Sequence, residues 1–174
     1  MSKVLGSWSG MRKYLEQEMI AESLKGRVRY NCTTYVGMDS CRVFEIFIDK
    51  KLVKQFSLET VNTYFINNGL SLSDIHKHLM TITDYWQGFW ETFDRISVNN
   101  RTEYTDIEFC EALEQYRNQS IQDSIFSENP LIRMFAVLDR RIGKRTLEKI
   151  TDHDDILPEW LRQFYKLRSE AEGV

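Results

Sequence analysis

The sequence predicts an α+β protein: an N-terminal helix and a small three-stranded antiparallel sheet, followed by a mainly helical C-terminal bundle. Three observations carry that expectation. Between residues 27 and 57 apolar residues alternate with polar ones in short runs, the period of half-buried strands. The links between those runs are short, which fits an antiparallel meander. After residue 57 the spacing turns helical and stays so to the end of the chain. At 174 residues the expectation is one domain, 1–174, with a helix-plus-sheet lobe at 1–57 and a helical lobe at 58–174. A chain of this size buries roughly 70% of its unfolded surface, enough for a substantial core.

The elements follow in order. Ser9 is placed to cap a first helix, with Met11, Tyr14, Leu15 and Met19 at helical spacing and Lys25-Gly26 as its end. RVRYNCTTYV, residues 27–36, alternates Val28, Tyr30, Cys32, Thr34 and Val36 on one face. RVFEIFID, residues 42–49, is rich in β-branched and aromatic residues, and Asp49-Lys50-Lys51 turns into LVKQFS. The first helix is expected to cover one face, because three strands need cover to be stable. A short helix runs from Ser57 to Asn68, and a long one is expected over residues 73–98. Thr105 and Glu108 form a capping box for the next, and Ser120 with Asp123 repeats the pattern. Asn129-Pro130 opens NPLIRMFAVLDRRIGKRTL, which Gly143 interrupts or ends, and Pro158 starts the last helix.

Charge is uneven. Residues 1–57 carry ten Lys/Arg against six Asp/Glu, residues 58–129 four against twelve, and residues 130–174 nine against eight. The total of −3 is therefore +4, −8 and +1, and a basic partner suits the middle segment best. The three cysteines, Cys32, Cys41 and Cys110, have no paired spacing and read as reduced thiols, with Cys32 and Cys110 expected to be largely buried. The first residues lack the apolar run of a signal peptide, and no window has the roughly 20 apolar residues of a membrane span, so a cytoplasmic location without membrane contact is expected.

Several constellations bear on function. Residues 133–145 hold five cations among thirteen positions: Arg133, Arg140, Arg141, Lys144 and Arg145. On one continuous helix Leu131, Phe135, Leu138 and Ile142 share an arc that Ile132 and Ala136 widen. Arg133, Arg140 and Lys144 then lie opposite, with Arg141 flanking. A solvated face is the simpler reading, and a contact with phosphate or an acidic protein is the alternative. Asp139 falls inside the apolar arc, so it is expected to be a buried polar anchor rather than a catalytic acid. DYWQGFWETF, residues 84–93, places Trp86, Trp90 and Phe93 on one face, widened by Tyr85 and Phe89. Packing between helices is expected there, with a binding hot spot as the alternative. His76 and His78 point about 200° apart on a helix, and His153-Asp154-Asp155 precedes the last helix, so neither group is expected to hold a metal. No phosphate loop, nucleophile elbow or cofactor fingerprint is present, and no cofactor is expected.

SLKGRVRYNCTTY near the start, with RNQSIQDSIFSENPLIRMFAVLDRRIGKRTL and PEWLRQFYKLRSEAEG near the end, resembles a family of small uncharacterised bacterial proteins. Similar members share the SLKGRV corner, an acidic helix such as FCEALEQY, and the NPLIR…LDRRIGKR block. The resemblance implies a bacterial cytoplasmic origin and a shared structure, and it brings no catalytic residue. NPLIRMFAVL is also similar to the second helix of a HEAT-type repeat, which implies helix-on-helix packing. The functional expectation is a non-enzymatic protein-binding or regulatory module of the immunity-inhibitor kind, acting through the acidic segment. The alternatives are nucleic-acid binding through the cations of 133–145 and an enzyme with a site around Asp139.

Overall fold

The computed structural model describes residues 6–34, 42–70, 81–151 and 157–174. Ser7 accepts a hydrogen bond from the Gly10 N–H at 3.2 Å and so caps α1, Trp8–Lys13. The helix then widens into a π-helical turn, Tyr14–Met19, and the chain becomes extended at Ile20. A 3₁₀ turn, Glu22–Leu24, leads to Gly26, whose φ of 80° makes the corner into the sheet.

The sheet has three antiparallel strands in the order β1 (Val28–Thr34), β2 (Arg42–Ile48) and β3 (Lys51–Phe56). Asp49 and Lys50 join β2 to β3 with both φ values positive, at 48° and 71°. That matches the right-handed twist of a two-residue hairpin. Seven α-helices then follow beyond Phe56 among the described residues: α2 (Leu58–Asn67), α3 (Ile82–Arg95), α4 (Asp106–Asn118), α5 (Ile121–Ile125), α6 (Pro130–Leu138), α7 (Lys144–Thr151) and α8 (Glu159–Glu172), with a 3₁₀ turn, Val98–Asn100, between α3 and α4. The architecture is α+β: an N-terminal helix, a three-stranded antiparallel sheet and a mainly helical C-terminal region.

The main core is a chain of rings and aliphatic side chains running from sheet to helices. Phe109 of α4 stacks on Phe44 of β2 at 4.8 Å and meets Phe56 of β3 at 4.9 Å. On its other side it meets Phe135 of α6 at 5.4 Å. All of α6 is buried except Arg133. It therefore lies inside the helical region rather than on its surface. Val61, Phe65 and Phe89 form a second, smaller cluster between α2 and α3.

Three expectations are corrected. The first helix does not run unbroken to residue 25, because the π-helical turn ends it at Met19. The long helix expected over residues 73–98 is not continuous: Thr81 is extended and shares a reciprocal capping box with Asp84, so that α3 begins at Ile82, and residues 73–80 lie outside the described residues. The stretch from 129 to 147 is two helices. Asp139 is extended and pairs with Ile20 in an isolated antiparallel bridge. The Ala21 N–H donates to the Leu138 carbonyl and the Arg140 N–H to the Met19 carbonyl, both at 2.9 Å. These bonds hold the backbone in a β conformation where a helical wheel assumes continuity. Gly143 then opens α7, its carbonyl accepting from Thr146 and Leu147 at 3.0 and 3.1 Å.

Candidate functional site

Asp139 sits where α6 ends against the N-terminal segment, with 2% of its surface exposed. Its Oδ1 accepts the Arg141 backbone N–H at 2.7 Å. Its Oδ2 accepts both Nε (2.9 Å) and an NH2 (2.7 Å) of Arg141, and the Tyr116 hydroxyl of α4 donates to it as well. Arg141 in turn reaches the Tyr116 oxygen at 3.2 Å. Burial, and then the hydrogen bond to Asp139, push the Tyr116 phenol far above its ordinary value. The same carboxylate raises the Arg141 guanidinium. Tyr14 is raised too, by burial first and Asp139 second. These surroundings favour the neutral Tyr116 phenol and the charged Arg141 guanidinium, both of which donate to the Asp139 carboxylate. Both carboxylate oxygens accept hydrogen bonds within the protein, one at Oδ1 and three at Oδ2.

The cations of 133–145 are not brought onto one face. Arg133 is half-buried, with Nε 3.3 Å from the Tyr165 hydroxyl and its guanidinium over that ring. Arg141 is tied to Asp139. Arg140, Lys144 and Arg145 are exposed around the turn between α6 and α7. The break at Asp139 is the reason, since it rotates α7 out of register with α6.

The aromatic run on α3 is divided between core and solvent. Tyr85, Phe89 and Thr92 are buried, Trp86 and Phe93 are half-buried, and Trp90 is 41% exposed. Trp86 and Phe93 pack against the α2–α3 cluster, and the expectation that Trp90 is mostly core is corrected. At about 100° per residue the apolar arc of α3 spans nearly half the helix. The side centred on Tyr85, Phe89 and Thr92 meets α2, where the Tyr85 hydroxyl donates to Asn62 at 2.6 Å. The Thr92 hydroxyl lies 3.2 Å from the Leu70 carbonyl, its acceptor there. Ile82, Trp86 and Trp90 flank that side, and Ile82 is 68% exposed. A cleft of about 350 Å³ opens between Asn62, Ile82, Tyr85 and Trp86. Phe93 is covered by the Arg101 guanidinium, 4.3 Å from its centroid.

Three buried cations had no signal in the sequence pattern. Lys54 of β3 donates to the Thr102 carbonyl at 2.6 Å and to Glu103 at 2.7 Å, and lies over the rings of Tyr104 and Trp160. Burial lowers its pKa, partly offset by Glu103. Arg101 pairs with Glu108, the residue that also completes the Thr105 capping box. Arg168 of α8 donates to Ser23, Glu172 and the Ile142 carbonyl. All three stitch loops and helix ends together.

Cys110 is buried and Cys32 half-buried, both as free thiols, and burial raises both pKa values, Cys110 to about 11. Cys41, His76, His78 and His153-Asp154-Asp155 lie outside the described residues. Among the described residues no group of acidic, histidine or cysteine side chains is arranged to hold a metal, and no helix is long and apolar enough to cross a membrane.

No curated protein and no solved structure matches the chain. The SF0329 protein family matches it over residues 7–169, nearly its full length, and the chain therefore belongs to the SF0329 protein family.

Proposed function

We propose that this protein is a non-enzymatic, cytoplasmic binding module of bacterial origin that engages a basic protein partner through the outer face of α3. The observation that carries the reading is the uncovered half of the α3 apolar arc. Ile82 and Trp90 are large, apolar and exposed, at 68% and 41%. Trp90 is braced edge-on by Phe89 and Phe93 at 5.0 and 5.4 Å, which keeps it rigid. A fixed tryptophan loses little side-chain entropy on binding, and tryptophan is over-represented among interface hot spots. Glu91 and Asp94 border it within a segment of net charge −8. Acidic surroundings attract a basic partner and speed its approach. Masking a basic protein, as an immunity-type inhibitor does, is the concrete form of this function.

The test is copurification from the native host with three proteins: wild type, Ile82→Ser with Trp90→Ser, and Arg140→Gln with Lys144→Gln. A basic protein should come with the wild type and with the Arg140/Lys144 variant, and be lost with the Ile82/Trp90 variant. Loss with the Arg140/Lys144 variant instead, or capture of nucleic acid in place of protein, would overturn the reading.

A further inference from the structure

The first helix and β1 enclose a cleft of about 380 Å³ whose lining includes no residue of the α3 face. Its walls carry Trp8, Ser9, Arg12 and Lys13 from α1 and Arg29 from β1, with Glu16 at the base. The π-helical turn is what puts Glu16 there. A π-turn widens the helix by one residue and is found disproportionately at functional sites. Here it turns Glu16 inward, 5% exposed, so that Oε1 accepts the Tyr30 N–H at 2.8 Å. Tyr30 belongs to β1, an edge strand, and this bond satisfies an outward-facing amide there.

Glu16 is a buried carboxylate with two cations nearby, yet neither closes on it. Arg12 Nε is 3.7 Å from Oε1 and Arg29 NH1 is 3.6 Å from Oε2, beyond hydrogen-bond length. Neither guanidinium donates a hydrogen bond to any described residue. Among the described residues Lys13 forms an ion pair with Glu18, at 3.8 Å. Three cations therefore stand against two carboxylates, and two guanidinium forks line the same cleft with no hydrogen bond given to any described residue. A guanidinium fork matches the oxygens of a phosphate group, two donors to two acceptors.

We propose that this cleft binds the phosphate group of a small molecule, with Arg12 and Arg29 as the forks, Lys13 as an additional cation, and the Ser9 hydroxyl as a further donor. Glu16 holds the two arginines at the rim without neutralising them both. It also tunes affinity, because its charge opposes the incoming anion. That opposition separates a binding site from a merely structural cluster: removing the Glu16 charge, while keeping its oxygen for Tyr30, should tighten binding.

The experiment is calorimetric titration of the full chain with inorganic phosphate, with phosphoserine and with serine, followed in parallel by the amide resonance of Tyr30. Wild type should bind both phosphate probes saturably and serine not at all, with the Tyr30 resonance moving. If phosphoserine binds tighter than inorganic phosphate the ligand is a phosphomonoester, and if the order is reversed it is free phosphate. Arg12→Gln with Arg29→Gln should weaken binding by about tenfold or more, the loss of one or two charge-assisted hydrogen bonds. Arg12→Lys with Arg29→Lys keeps the counter-charges for Glu16, so it should fold as wild type and bind with intermediate affinity. Glu16→Gln should bind several-fold tighter, and Arg140→Gln with Lys144→Gln should bind as wild type. No saturable binding in the wild type, equal loss in the Arg140/Lys144 variant, or weaker binding in a folded Glu16→Gln protein would each overturn the proposal.

Discussion

Asp139 and Arg140 are neighbours in sequence with very different surroundings. The Asp139 carboxylate is buried and filled by Tyr116 and Arg141, while Arg140 is exposed. Removing Asp139 leaves the Tyr116 hydroxyl buried without its acceptor and the Arg141 N–H unsatisfied. The Arg141 side chain is half exposed and can turn to water, which reduces the penalty of a broken buried pair. Asp139→Ala should therefore cost about 2–4 kcal/mol in urea unfolding, Tyr116→Phe about 1–2, and Arg140→Ala less than about 0.5. A near-neutral Asp139→Ala would show that the bridge to Ile20 holds without the carboxylate. Cys110 gives a second outcome at this scale. Its folded-state pKa is raised by burial to about 11 from 9.0. The folded chain then keeps a proton that the unfolded chain releases, so this contribution is complete below about pH 9 and is lost as pH rises toward 11. Wild type should lose more stability than Cys110→Ala across that interval. Parallel pH profiles for the two proteins would show the thiol to be solvated.

Local chemistry sets most element boundaries, and those were legible. The Thr105–Glu108 box, the Ser120–Asp123 pair and Asn129-Pro130 each satisfy orphan amides within one turn, so the same residues that announce the helix also start it. Where boundaries depend on distant partners the sequence is silent. The break at Asp139 exists because Ile20 lies alongside it, and the burial of Lys54, Arg101 and Arg168 depends on acceptors brought by other segments. The α3 pattern is a third case: a wheel gives the width of an apolar arc, while which half is covered is decided by where α2 packs. Phe89→Ala should thus cost about 3–4 kcal/mol and Trp90→Ala about 1 or less, measured by denaturant unfolding. The reverse order would put Trp90 in the core. The β2–β3 turn offers a gain instead. Lys50 has φ 71°, a left-handed conformation that costs a residue with a Cβ about 1–2 kcal/mol. Glycine removes that strain, and the relief outweighs the unfolded-state entropy it adds, so Lys50→Gly should raise stability by about 0.5–1 kcal/mol. A loss of stability there would mean that the turn tolerates lysine without strain.

Across the whole molecule the apolar interior falls into two unequal parts. The larger links α1, the sheet, α4, α6 and α8 through Phe109 and Phe135. The smaller joins α2 to α3 through Val61, Phe65 and Phe89. Among the described residues the α2–α3 pair is tied to the rest by the Ser57 amide on the Tyr104 carbonyl at 3.1 Å and by Arg101 lying over Phe93. Opening α2 and α3 would expose little of the larger core, so its free energy should fall below that of global unfolding. A partner seated on α3 would then rigidify the least stable part of the fold. Hydrogen exchange should find amides of α2 and α3 less protected than those of α4 and α6. Phe89→Ala should lower protection in α2 and α3 while leaving α4 and α6 exchanging as in wild type. Arg101→Gln is the complementary variant. It removes the cation over Phe93 and the partner of Glu108 together, so it should loosen the α2–α3 pair and the first turn of α4 at once. If Phe89→Ala lowers protection equally in all four helices, the two clusters unfold as one unit, and α3 has no separate opening for a partner to suppress.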